Sequence, residues 1–259
     1  MNSTFSSVHP EAIIGKNVTI SPFVTIDKNV IIGDDTYIYP NVVILSGSRV
    51  GKNCRIFPGA VISGLPQDLK FQGEETTCEV GDSTTIRECV TINRGTASKG
   101  KTIVGSNCLL MAYSHIAHDC IIKDYVIVGN ATQLAGEVEV DDYAILSGGT
   151  LVHQFCRIGK HVMIQGGSRM SKDIPPYIIA GREPISYCGV NIIGLRRRGF
   201  SNDQISSIQE IYRALYQSGL NHSEAIKYIE INILDSDEKK EIVTFIGSSQ
   251  RGIIRGYLE

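Results

Sequence analysis

From Ile14 to Ile164 every sixth residue is Ile, Val or Leu at 23 of 26 positions, the exceptions being Asp68, Glu74 and Ser98. Roughly a quarter of the residues in an ordinary chain of this kind are these three types, so the register is a property of the fold. The position two before each aliphatic is small: Val18, Val24, Thr36, Ser48, Cys54, Ala60, and later Cys78, Cys108, Ser114, Cys120, Ala144 and Cys156. Gly often follows it, as at Gly15, Gly33, Gly51, Gly81, Gly105, Gly129 and Gly159. An α-helix cannot use a period of six, because 3.6 residues per turn carries the sixth residue off any one face. A short strand followed by a tight turn can. Three such units close a triangular coil of 18 residues, and coils stack at the strand spacing of about 4.8 Å. The expected fold is therefore mainly β, a parallel β-helix of hexapeptide repeats.

Two stretches interrupt the pattern without losing its phase. Residues 63–79 span three unit lengths, and residues 93–101 replace one; both are expected as loops on one face of the solenoid. After Ile164 the repeat stops. From Ser201 the apolar spacing becomes helical, with a Ser cap and a Gly stop, and two further amphipathic stretches follow. This divides the chain into a β-helix over 1–189 and a small α-helical domain over 190–259.

Composition narrows the function. With 25 basic against 27 acidic residues the chain is no general binder of nucleic acid. It has no run of 18 apolar residues and no visible export signal, so a cytoplasmic protein is expected. Seven Cys without a CxxC fit reduced thiols, five of them in the small inward slot.

The coil converts sequence into neighbours. Residues 18 apart stack, so His118, Gly136 and Gln154 form one column, and Asp119, Glu137 and Phe155 the next. His115 and His153 lie close by. A carboxylate beside a His fixes its tautomer and raises its basicity. A Gly one coil up can offer a bare backbone N–H to a developing oxyanion. Together they suit base-assisted attack of a hydroxyl on an acyl carbonyl. The same residues would equally serve as solvated exterior side chains, and His115, His118 and His153 leave open a zinc site of the kind found in carbonic-anhydrase-like solenoids.

The segments QDLKFQGE (67–74), IRECVTINRGT (86–96), HIAHDC (115–120), NATQLAG (130–136), VHQF (152–155), DIPPY (173–177) and GVNIIGLRRRGFS (189–201) resemble the acyl-carrier-protein-dependent UDP-N-acetylglucosamine 3-O-acyltransferase family, which begins lipid A synthesis in Gram-negative bacteria. The resemblance implies a left-handed β-helix, no cofactor or metal, and a homotrimer with the site between subunits. It implies His118 as general base, Asp119 as the carboxylate that orients it, and the Gly136 N–H as oxyanion donor. It matches Asp68 and Lys70 to sugar- and phosphate-side contacts, with the substrate-binding candidate Gln67 beside them, and His115, His153 and Gln154 to supporting pocket residues. Asn191 and Arg197 match nucleotide contacts, with the substrate-binding candidate Arg198 next to them. Gly166 matches the position that limits acyl length; its missing side chain points to a long 3-hydroxyacyl donor, about C14–C16. Arg169, Lys172 and Arg182 are candidates for docking the acidic carrier protein. Two departures stand out: Glu137 where the family carries His, and Ile193 where it carries Glu. The alternatives are the related N-acyltransferase, which would need a further N-terminal domain, and an acetyl-CoA-dependent sugar or serine acetyltransferase, which leaves the helical tail and GLRRRGF unexplained.

Overall fold

The computed structural model describes residues 5–256. The outer ends of both expected domains, and the first residues of the segment read for an export signal, lie outside the described residues. The chain winds as a left-handed parallel β-helix, a triangular prism whose faces are sheets of nine, eight and ten short strands. The first sheet runs from Ser7–Val8 to Arg169–Met170, the second from Ile13–Ile14 to Arg157–Ile158, and the third from Thr19–Ile20 upward. Pairs such as Ser7 with Thr25 and Ile13 with Ile31 hold the 18-residue register.

Most strands are only two residues long, the first pointing outward and the second buried, as in Thr25–Ile26 and Tyr37–Ile38. The aliphatic every sixth residue and the small residue two before it fill the prism; Ile38, Ile56, Ile86, Cys54 and Cys120 are fully buried. Burial pushes the Cys54 and Cys108 thiols up to about 11 and Cys78 and Cys120 to about 12, as befits core side chains. The chain bends three residues before each aliphatic, at a residue with positive φ. In the lower coils this is mostly Asn or Asp, at Asn17, Asn29, Asp35, Asn41 and Asn53, the types that enter this region most cheaply, with Phe23 an exception. The glycines after the aliphatics serve a different end. A Cβ on Gly33 would sit 2.6 Å from the carbonyl carbon of Gly51 in the coil above, so they permit close stacking.

Both interruptions emerge at one corner, between the first and second sheets. Val61 pairs with Thr91 and Cys78 with Ser48, offsets of 30 instead of 18 residues, so of the three unit lengths in 63–79 one stays within the coil and two form the loop. This corrects the loop's extent. Its ends are drawn into the longer strands Val61–Gly64 and Thr77–Val80. The second loop adds one unit, as expected, since Cys78 pairs with Thr102 and Thr91 with His115.

The top of the prism is closed by an antiparallel pair, Ile178–Gly181 with Ser186–Val190, and by four helices: α1 (Ile192–Arg197), α2 (Asn202–Gln217), α3 (His222–Asn232) and α4 (Asp237–Gly247). α2 starts as predicted with a Ser201 capping box; α1 carries no periodic signal in the sequence and was not expected. The tail returns to the prism through bridges of Ile253 to Asp173 and Arg255 to Ser186. Among the described residues no helix is long and apolar enough to cross a membrane.

Candidate active site

The corner that carries both loops also carries His118. One coil above it lies Gly136, so close that a Cβ built there would stand 2.6 Å from His118 Cε1 and Nε2. The Glu137 N–H donates to the His118 carbonyl at 3.0 Å, and the Phe155 N–H donates to the Gly136 carbonyl at 3.2 Å, so the predicted columns are the observed ones. In the ladder the residue directly after each aliphatic donates its N–H to the next coil; the one after that does not. The N–H groups of His118, Gly136 and Gln154 accordingly have no acceptor among the described residues. Only at 136 is there no side chain to screen it.

His118 Nδ1 is 2.8 Å from Asp119 Oδ2. Asp119 occupies a positive-φ corner position, at φ 60°, which turns its side chain under the loop, where it is fully buried. There its carboxylate accepts hydrogen bonds from the Thr96 N–H (3.0 Å), the Thr96 hydroxyl (2.6 Å) and the Lys99 N–H (3.2 Å). Burial alone would raise this carboxyl. The Thr96 hydroxyl, the His118 ring and the two backbone donors outweigh it and hold the group below the usual carboxylate range. The anion thus fixes the proton on Nδ1 and leaves Nε2 as the basic nitrogen facing outward.

Asp68 comes from the first loop, which explains why it breaks the aliphatic column: its Oδ2 lies 4.0 Å from His118 Nε2, while its Oδ1 accepts the Lys70 N–H at 2.9 Å. The loops are tied together by Thr76 Oγ1 donating to the Gly95 carbonyl (2.6 Å), Asn93 Nδ2 to the Leu65 carbonyl (2.9 Å) and the Ala97 N–H to Glu74 (2.9 Å).

A groove of about 1540 Å³ runs from this corner across the outer face of the first sheet. Gln67, His115, His118, Gly136, His153 and Gln154 line it together. His115 accompanies Thr91, Nδ1 to Oγ1 at 2.7 Å, and burial, with His118 nearby, holds it below the ordinary imidazole range, hence neutral. His153 Nδ1 lies 3.1 Å from the Gln154 carbonyl. The three histidines therefore face separate partners instead of a common point, and among the described residues no group of three or more His, Cys, Asp or Glu is arranged to hold a metal ion. Further up, Arg169, Lys172 and Arg182 line the groove, joined by Arg255, which the sequence reading missed because the tail has no periodic pattern to place it. Thr96 and Lys99 were missed for the same reason: they sit in a loop outside the repeat.

Other predicted residues lie elsewhere. The Lys70 side chain is exposed on its loop outside the groove. Asn191 is buried and caps α1: its Oδ1 accepts the Gly194 N–H at 3.2 Å and its Nδ2 donates to the His161 carbonyl at 2.9 Å. Arg197 is exposed, and the Arg198 guanidinium covers the Tyr143 ring at 4.1 Å. These three belong to the corner between the second and third sheets. Gly166 is exposed at the remaining corner. Glu137 accepts a hydrogen bond from Ser98 Oγ at 2.9 Å, and Ile193 is exposed on α1.

The comparisons with known proteins agree along the chain. Residues 29–64 and 101–136 match the bacterial transferase hexapeptide model, and residues 173–254 match the second domain of UDP-N-acetylglucosamine O-acyltransferase. A Xylella fastidiosa protein named acyl-[acyl-carrier-protein]--UDP-N-acetylglucosamine O-acyltransferase is 45% identical over 98% of this chain and 100% of its own. The Burkholderia lata protein of that name is 44% identical over 76% of this chain and 77% of its own. The crystal structure of a UDP-N-acetylglucosamine acyltransferase from Bacteroides fragilis superposes with a TM-score of 0.97 at 61% identity, covering 98% of this chain and 100% of that one.

Proposed function

The chain belongs to the UDP-N-acetylglucosamine O-acyltransferase family, and from that premise we propose that it moves a (R)-3-hydroxyacyl chain from acyl carrier protein to the 3-hydroxyl of UDP-N-acetylglucosamine, the opening step of lipid A synthesis. The observation that carries the chemistry is one pairing: an imidazole bonded to a buried carboxylate lies against Gly136, whose backbone N–H has no acceptor among the described residues. His118 Nε2 takes the proton of the sugar 3-hydroxyl. The oxygen bonds to the thioester carbonyl carbon, and the Gly136 N–H stabilises the oxyanion that forms. The C–S bond then breaks, and the proton passes from His118 to the departing sulfur, leaving an ester and a free carrier thiol. Asp119 holds the imidazole and balances its charge while it carries the proton. Asp68 orients the sugar, with Gln67 and Lys70 toward the phosphates, and His115, His153 and Gln154 supply the polar wall.

Asn191, Arg197 and Arg198 serve the nucleotide from a neighbouring subunit. Two observations support this. They occupy a different corner of the prism from His118, so one chain alone does not bring the two sets together. The outward positions of the third sheet are also apolar over successive coils, at Leu109, Ile127, Ile145, Met163 and Ile179, a surface suited to packing against further copies. The assembly is a homotrimer, closed by cyclic symmetry. Sedimentation equilibrium tests this: a mass three times that of the chain is expected, and a monomer overturns the shared site. Arg169, Lys172, Arg182 and Arg255 offer a positive rim to the acidic carrier. Seven unpaired cysteines suit the reducing cytoplasm.

Gly166 lies at the far edge of the sheet whose outer face forms the groove, and its lack of a side chain supports a long acyl path there. The donor is therefore long. Mass spectrometry of the products from UDP-N-acetylglucosamine and a panel of 3-hydroxyacyl carriers tests both parts. A 3-O-ester with a preference near C14–C16 is expected, and Gly166→Met shifts it to shorter chains. A C10 preference overturns the length assignment, and no ester from any donor overturns the reaction.

A further inference from the structure

We infer that Glu137 is a positioning residue for the catalytic pair, acting through the loop that carries Thr96. The inference rests on the assignment of His118 and Asp119 above. Glu137 follows the oxyanion glycine directly, yet its carboxylate turns from the groove to the loop over residues 94–100, where Oε1 accepts the Ser98 hydroxyl at 2.9 Å. One residue along that loop, Lys99 Nζ reaches Glu139 Oε1 at 3.1 Å, and Arg157 Nε stands 3.6 Å from the other Glu139 oxygen. The loop is therefore latched to the coil at 137 and 139. Between these latches and the corner it presents the three donors that the Asp119 carboxylate accepts, from Thr96 and Lys99. From the other side it is held by Glu74 on the Ala97 N–H and by Thr76 on the Gly95 carbonyl.

Among the described residues Asp119 has no alternative donors. It is fully buried, its own N–H is committed to Thr102 Oγ1 at 2.8 Å, and its remaining bond is the one to His118. Whatever fixes the loop fixes the direction from which Asp119 meets the imidazole. The bond from Glu137 to Ser98 spans 39 residues of sequence and joins the coil above His118 to the loop that supports Asp119. A shift of the loop therefore reaches the base through one buried carboxylate, and misplacement of a base by a fraction of an ångström is felt in the chemical step more than in substrate binding.

The test is a set of variants assayed as the full-length protein: Glu137→Ala, Ser98→Ala, their combination, Glu137→Gln and the control His118→Ala. Loss of one such hydrogen bond lowers kcat roughly fivefold, with KM for UDP-N-acetylglucosamine unchanged. Glu137→Gln, which keeps an acceptor oxygen for Ser98, restores most of that rate. The double variant is no slower than either single one, because both remove the same bond. Parental kcat in both alanine variants, with His118→Ala inactive, overturns the latch while leaving the base assignment standing. A fall confined to thermal stability, or a rise in KM at parental kcat, overturns it equally. An active His118→Ala removes the reading on which the latch rests.

Discussion

Two corners of the prism share one backbone and diverge in what they do with it. At the corner between the second and third sheets, several of the N–H groups left out of the ladder are taken by side chains from the next coil: Lys16 by Asp34, Lys52 by Asp82, Ser106 by Asp124 and Asp124 by Asp142, at 2.7–3.0 Å. The positive-φ positions there form an aromatic stack, Tyr125 on Tyr143 on His161, closed by Tyr177 and Phe200. At the corner between the first and second sheets the same N–H groups, at 118, 136 and 154, are left open, and the positive-φ positions carry Asp119 and Glu137. The repeat supplies the unpaired donor at every coil. On the proposed reading, chemistry arises where such a donor stands open and inserted loops hold a base beside it.

The comparison breaks most sharply at Gly136. Gly136→Ala places a methyl within 2.6 Å of the imidazole and screens the open N–H, so kcat/KM falls by about 10²–10³-fold in a steady-state assay, with little loss of fold. Near-parental turnover would mean that the open corner is not where the acyl group reacts.

The sealed corner responds in stability. Burial holds His161 at about 4, with Lys160 and Arg198 adding to the effect, so the folded state keeps it neutral. The unfolded chain binds the proton near 6.5, and stability is therefore lost as pH falls from that value toward 4, by at most roughly 3 kcal/mol. His161→Phe, which keeps a ring in the stack, flattens the dependence of Tm on pH across that window; an unchanged slope would contradict the assignment.

A smaller effect sharpens the contrast. Asp124→Ala uncovers the Ser106 N–H and removes one rung of the carboxylate ladder, costing about 1 kcal/mol in a denaturation curve while leaving kcat unaltered. A large loss of turnover would show the two corners to be coupled.

The prism and the contact of 118 with 136 were legible because both follow from counting in sixes and eighteens. The burial of Ile38 or Cys120, and the bare amide above His118, need nothing beyond the coil. What lay outside the count was illegible. Thr96 and Lys99 reach Asp119 through a loop whose path is set by Glu74, Thr76, Glu137 and Glu139, residues 20 or more positions away in sequence. Arg255 enters the groove by a tail that returns to the prism. Asn191 illustrates a different limit. Its motif was recognised, but the amide's commitment to Gly194 and His161 depends on how α1 closes over the stack.

Single-turnover kinetics of His118→Ala against the parent, at saturating UDP-N-acetylglucosamine and 3-hydroxyacyl carrier, test the central claim most directly. Loss of the positioned base lowers the chemical step by about 10²–10⁴-fold while substrate binding persists. A rate constant within a few-fold of the parent would contradict it.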